Sequence, residues 1–369
     1  MGVNLVNKTF WTNEHGLRDT KFEFTSFIET RLANIEEFSQ KIASAIPEIR
    51  EILNGDIKRY NESPQYNNLV GIDGSNTTPN KDPYLTTFNV NAVGYLQFKS
   101  KNPPARFLKS YELISVPTPN FSSTYMHLRR DILEMKALLK ITDESKADIV
   151  FMDGSINSQA LWNARMQQLK ISPYIVPDTS IDLYKRIFKT PDGLWSKVIE
   201  RLKSVRVVWI PKRIVGKSFV NRLLRENPDL DIPSEATNEV FSLILQPDEI
   251  LGPFTFEKWV QTSTSTARKF VKDIQTLYYK PPFRTASAIK LEFHKNFLPD
   301  LEKLIATIKK EYSIYYNQIK PMIWAHTIAK NENMDLNGLD SAVKRLAILN
   351  CKDSTLRSII QTRFANQFY

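Results

Sequence analysis

Two stretches of the sequence read almost alike: NLVGIDGSNTT at 68–78 and DIVFMDGSINS at 148–158. In each, a short apolar run (Leu69–Ile72, with Gly71, and Ile149–Met152) stops at Asp-Gly-Ser. Runs of that length are too short for a helix, and polar, turn-forming residues follow them, so they predict buried strands. Asp73 and Asp153 then stand as the last residues of interior strands. In α/β sheets the crevice beyond the carboxyl ends of strands is where ligands bind. Gly74 and Gly154 permit a sharp exit and a close approach to the backbone, and Ser75 and Ser155 can cap a turn or reach a ligand. The plain alternative is a pair of hairpin turns, for which Asp-Gly is a common signal.

If the two strands are near neighbours, the aspartates sit side by side. Two such carboxylates repel and lose hydration unless a cation lies between them. Their hard oxygens select Mg²⁺ or Mn²⁺, ions able to clamp the attacking water and the leaving oxygen in phosphodiester hydrolysis. A third carboxylate, Glu134, lies on the helix before the second strand and is the only acid between Asp131 and Asp143. Read alone, it is an ordinary exposed helix residue paired with Arg130 four positions earlier.

Around these motifs, strands interleave with helices. Apolar residues from Ile28 to Leu53 step by three or four and predict a long amphipathic helix over 26–53, with Pro47 as a point of bending. Aromatic and β-branched stretches at 84–98 and 106–116 predict two strands, 125–142 a helix, 205–210 a further strand and 217–227 a helix. Late strands follow at 274–280 and 288–294, then a helical tail including 298–312 and 339–349. The fold class is α/β. The expected organisation is an N-terminal helical extension (1–62), a core (63–297) and a C-terminal helical region (298–369).

The chain of 369 residues carries 50 Lys and Arg against 40 Asp and Glu, a net charge of +10, which favours a polyanionic partner such as DNA. One cysteine, Cys351, excludes an intramolecular disulfide framework and multi-cysteine zinc patterns. No long uncharged apolar run and no apolar leader are visible, so a cytoplasmic protein with no membrane partner is expected.

The segment VRVVWIPKRIVGKSF (205–219) nearly writes a phosphate-binding loop, but Pro211 stands where the first glycine is required. Proline lacks the N–H and the freedom of φ that such a cradle needs. Lys212, Arg213 and Lys217 are instead candidate contacts to DNA phosphates, with a solvated basic loop as the alternative. His326, in PMIWAHTIA, reads by itself as a core histidine with a satisfied hydrogen bond.

The order of these elements resembles the NurA nuclease family: a strand ending in Asp-Gly-Ser, a helix bearing Glu, and a second such strand about twenty residues on. Downstream, VVWIPKRIVGKS (207–218) is similar to its lysine-bearing loop, KLEFH (290–294) to its late acidic strand and IKPMIWAHTIA (319–329) to its proline-to-histidine helix. The resemblance implies an RNase H-like mixed-sheet core with N-terminal and C-terminal helical additions. It implies Asp73, Glu134 and Asp153 as metal ligands and His326 as a further catalytic residue contributed by the C-terminal region. It also implies a Mn²⁺-dependent (or Mg²⁺-dependent) DNA nuclease, homodimeric, acting with a HerA-type hexameric ATPase in end resection or defence. The family's tyrosine position falls on Gln318, with Tyr315 and Tyr316 just upstream. A subunit that keeps the fold but only binds DNA or a partner is the alternative from another class.

Overall fold

The computed structural model describes residues 16–60, 64–76, 87–99, 102–116, 119–144, 147–159, 187, 192–212, 214, 216–233, 236–237, 240–255 and 271–330; for β3 and β4 below, the backbone alone. Numbered over these residues, the helices are α1 (Gly16–Ile52), α2 (Pro119–Glu144), α3 (Leu194–Leu202), α4 (Ser218–Glu226), α5 (Phe241–Ile244), α6 (Leu301–Glu311) and α7 (320–330). The chain forms two compact units. The smaller comprises the chain up to Gly55 together with Val215–Ile244. In it α1 runs unbroken through Pro47 and buries Ile42, Ala45 and Ile49, while Phe219 of α4 meets Phe241 of α5 edge-on at 4.5 Å. The first positions of the predicted α1 stripe, Ile28, Leu32 and Ile35, lie outside the described side chains, as the predicted helix 339–349 lies outside the described residues.

The larger unit is built on a nine-stranded sheet of order β1-β7-β8-β9-β6-β5-β2-β3-β4. Its strands are β1 (Ile57–Lys58), β2 (Asn68–Asn76), β3 (Thr87–Lys99), β4 (Asn102–Val116), β5 (Ile149–Asp153), β6 (Val207–Ile210), β7 (Ile250–Thr255), β8 (Ile274–Tyr279) and β9 (Ile289–His294). A separate small ribbon pairs β10 (Tyr312–Ser313) with β11 (Gln318–Ile319). From β4 through β3 to β2 the strands are antiparallel, and β2, β5 and β6 are mutually parallel. This is the α/β class that the residues predict, in the mixed-sheet form that the resemblance implies.

Alternation along the central strands assigns each residue to a layer. Val70, Ile72, Val150, Met152, Val207 and Trp209 face Ile132, Met135 and Leu138 of α2 and Trp195 and Val198 of α3. Leu69, Ile149, Phe151, Val208 and Ile210 face Leu301, Leu304 and Ile308 of α6 and Met322 of α7. Covered on both faces, the parallel strands can be apolar throughout, which is why they read as uninterrupted runs.

The register between β2 and β5 pairs Leu69 with Ile149 and Ile72 with Met152. Asp148 pins it: its Oδ2 accepts the backbone N–H groups of Asn67 (3.0 Å) and Asn68 (2.9 Å), while its own N–H donates to Asn68 O at 2.8 Å. One expectation fails in part. Asp153 does end its strand, but Asp73 does not, because β2 continues to Asn76 against β3, with Asp73 opposite Gly94. Only its pairing with β5 stops at Ile72. Several elements were not expected, among them α3 and β7. In α3, Trp195, Val198 and Leu202 form a buried stripe. In β7, the interior Pro253 accompanies an irregularity between Leu251 and Phe254 and masks the strand signal.

Gly71 is seated against the start of α7, where a Cβ would overlap the carbonyl of Pro321. Backbone cannot yield as a flexible side chain would, so Gly71→Ala is expected to destabilise the protein by about 1–3 kcal/mol through overpacking. Gly55, where an added Cβ would meet nothing within 4 Å, is the matched control. Urea titration of Gly71→Ala and Gly55→Ala checks this, and equal midpoints would contradict the seat.

Candidate active site

The in-register pairing of β2 with β5 continues in space as Asp73 beside Asp153. By alternation Asp73, Asp153 and Lys212 project to the face covered by α6 and α7. Lys212, two residues beyond β6, places its ammonium between the two carboxylates. Its Nζ donates to Asp73 Oδ2 at 3.0 Å and to Asp153 Oδ2 at 2.9 Å. From α7, His326 Nδ1 lies 2.7 Å from Asp73 Oδ2 and 3.2 Å from Lys212 Nζ. One nitrogen cannot serve both neighbours at once. The shorter contact and the ammonium's two carboxylate partners assign Nδ1–H as donor to Asp73.

Glu134 reaches the site from the opposite layer. Gly74, next to Asp73, faces α2, and a Cβ there would overlap Glu134 Oε1 and stand 2.8 Å from Arg130 Cγ. The glycine of the first Asp-Gly-Ser therefore serves as an opening through which α2 brings its carboxylate beneath the strand. The predicted pairing of Glu134 with Arg130 is present (Nε to Oε1, 3.4 Å), but the residue is 2% exposed, not a solvated helix position. Its other oxygen accepts from Gln159 Nε2 at 3.4 Å.

Burial and proximity separate the acids by proton affinity. Burial opposes ionisation of Asp73, yet the His326 hydrogen bond and the Lys212 charge outweigh it and hold this carboxyl below its usual range. Burial and the adjacent Asp73 charge push Asp153 up to about 6, against the pull of Lys212. Asp131 is pushed by burial, against Arg130, to about 6, and burial drives Glu134 well above its usual value. Burial disfavours the Lys212 ammonium, but Asp73 and Asp153 more than offset this and raise its pKa.

Whether these residues suit a divalent cation turns on oxygens without partners. Asp73 Oδ1 and Asp153 Oδ1 are both buried and both lack a hydrogen-bond partner, a state that ordinary buried polar atoms avoid. Two hard oxygens so placed fit a Mn²⁺ or Mg²⁺ ion. Among the described residues no three His, Cys, Asp or Glu side chains converge as a ready-made cage. Glu134 is engaged by Arg130 and Gln159, so the donor pair consists of Asp73 and Asp153.

Of the basic candidates, Lys212 enters the site, Arg213 lies outside the described residues, and Lys217 is exposed at the N-terminus of α4 in the smaller unit. Gln318, at the expected tyrosine position, is buried in β11, and its Oε1 accepts from Ile319 N at 3.0 Å. Tyr315 and Tyr316 are exposed in the turn before it. Sequence reasoning missed Gln159, Arg130 as a buried partner, and Lys212 as the bridge between carboxylates. The first two carry no motif; the third was visible as a lysine two residues past a predicted strand.

A central sheet carrying acids level with one another on adjacent parallel strands, with a Glu-bearing helix on one face and a His-bearing helix on the other, is the RNase H-like architecture that the resemblance implies. No family model matches the sequence, and no curated protein sequence does. Among solved structures, the NurA nuclease from Sulfolobus solfataricus is similar, with a TM-score of 0.57 at 15% identity over 86% of this chain and 96% of that one. NurA crystallised with manganese is similar with a TM-score of 0.52 at 12% identity over 87% of this chain and 99% of that one. The chain shares the fold of the NurA nucleases. No described helix is long and apolar enough to cross a membrane.

A folded-state pKa raised above the unfolded value gives stability that is full below the unfolded pKa and is lost as pH rises through the folded one. For Asp153 that window runs from its ordinary value of 3.8 to about 6. In metal-free protein, Asp153→Asn should match wild type near the bottom of the window. Above it the variant should be more stable by about 1–3 kcal/mol. Chemical denaturation in chelator across that range checks this, and a difference independent of pH would contradict the assignment.

Proposed function

We propose that the protein is a metal-dependent deoxyribonuclease hydrolysing phosphodiester bonds. The observation that carries this reading is the pair of buried, partnerless oxygens of Asp73 and Asp153, level with one another on adjacent parallel strands of a basic protein. Mn²⁺ or Mg²⁺ held there would neutralise charge on the scissile phosphate and sharpen an attacking water. The chain's own groups supply the rest. Lys212, which bridges the two aspartates, is positioned to turn its ammonium to a phosphate oxygen. Asp73 fixes the His326 ring through Nδ1, leaving Nε2 to give or take the proton at the phosphate. Glu134, held in reserve by Arg130 and Gln159, would complete the acidic set once those contacts open.

The NurA likeness extends the proposal in three respects: 5′–3′ exonuclease with single-strand endonuclease action, homodimerisation, and work with a HerA-type hexameric DNA-translocating ATPase in end resection or defence. A catalytically silent DNA-binding or docking subunit is the second reading, favoured by the engagement of Glu134 with Arg130 and Gln159.

End-labelled linear DNA incubated in Mn²⁺, Mg²⁺ or chelator separates these. Cleavage should require the ion, disappear in Asp73→Asn and Asp153→Asn, and fall on the order of a hundredfold in His326→Ala, the scale of a lost proton donor. Lys212→Ala should weaken DNA binding and reduce the salt dependence by about one charge. Equal cleavage by wild type and both aspartate variants would overturn the site; tight DNA binding without cleavage under every condition would establish the silent subunit.

A further inference from the structure

Directly after Asp153 the chain leaves the sheet at Gly154, whose φ is +84°, and enters a helical turn from 156. Nothing in the strand ladder holds it beyond Asp153. Ser155 opens the turn as a cap, its Oγ accepting from Ser158 N at 3.1 Å. That same hydroxyl donates to Glu292 Oε1 at 2.9 Å. Asn157 donates twice to the same carboxylate, from Nδ2 to Oε1 at 3.1 Å and from its backbone N–H to Oε2 at 3.3 Å. It also donates from Nδ2 to Thr276 Oγ1 at 3.4 Å. Glu292 lies on β9, opposite Trp209 of β6, with 0% exposure, and Lys290, on the same face of β9, forms its ion pair.

We infer that Glu292 is a positioning residue: it anchors the loop 154–159 and so sets where Asp153, the proposed metal ligand, is held. The inference rests on the functional reading above. All four contacts present hydrogens to Glu292, and only a group accepting at both oxygens satisfies them. A glutamine has one accepting oxygen and would turn an NH₂ against a donor. A carboxylate replaced by its amide at 0% exposure therefore sets an N–H against at least one of these donors and leaves the Lys290 ammonium without its counter-charge. Outer partners that orient metal ligands tune affinity for the ion even though they never touch it.

The test uses the full chain with Glu292→Gln and Asn157→Ala, and with Leu223→Ala as a core variant in the smaller unit. Hydrogen–deuterium exchange of the 153–159 segment is followed in chelator, and Mn²⁺ affinity is measured by calorimetry. Glu292→Gln is expected to speed exchange in that segment and to weaken Mn²⁺ binding roughly tenfold to a hundredfold, with cleavage recovering at saturating Mn²⁺. Asn157→Ala, which removes the Nδ2 donor and leaves the Ser155 cap in place, should shift both readouts in the same direction, and it decides the matter if Glu292→Gln does not fold. Leu223→Ala should lower thermal stability and leave both unchanged. Wild-type exchange and Mn²⁺ affinity in Glu292→Gln or Asn157→Ala would overturn the inference. Failure of wild type to bind Mn²⁺ would instead overturn the functional reading, while the exchange measurement would still judge the anchor.

Discussion

The register of β2 on β5 is the constraint on which the site depends. Side chains alternate along a strand, so a slip of one residue would turn Asp73 from the α7 layer to the α2 layer and bury the wrong set of apolar groups. Two things prevent this. Leu69 and Ile149 must share one layer and Ile72 and Met152 the other. Asp148 adds a polar lock by taking both backbone N–H groups at the start of β2. The motif DIVFMD thus has an acid at each end, and the two differ in what they do. The first fixes the pairing, and the last is delivered by it.

Delivering two buried acids to one place creates an electrostatic problem that the fold answers locally. Lys212 contributes one positive charge between them, and His326 donates to the deeper one. The remaining tension appears as an Asp153 that holds its proton up to about 6 while Asp73 stays ionised. Asymmetry of this kind, imposed by environment on chemically identical groups, is what divides roles among carboxylates at functional sites. On the far side of the sheet Arg130 performs the same service for Asp131 and Glu134.

Much of this was legible in the residues because apolar runs closed by Asp-Gly-Ser are a local signal. The strands around 69–73 and 149–153, the Glu-bearing helix between them and the late strand pair could all be read from period and composition. What escaped depends on distance across the chain. Glu134 looks like a surface residue until Gly74, sixty positions earlier, is known to leave room for it. Glu292 is an unremarkable strand acid until Ser155 and Asn157 are seen to fold over it. The strand through Pro253 hides because its irregularity lies where proline removes the pattern. His326 gained a meaning beyond that of a core residue from the order of motifs alone, and the structure places its ring against Asp73.

The close approach of Gly71 to Pro321 bears on how the imidazole keeps its station. The helix that carries His326 begins on a main-chain carbonyl resting over a position with no side chain at all. A contact made of backbone on both sides involves no rotamer, so nothing in it can swing aside to admit a side chain at position 71. The spacing between ring and acid is therefore set where main chain meets main chain, as a hinge is set by its pin.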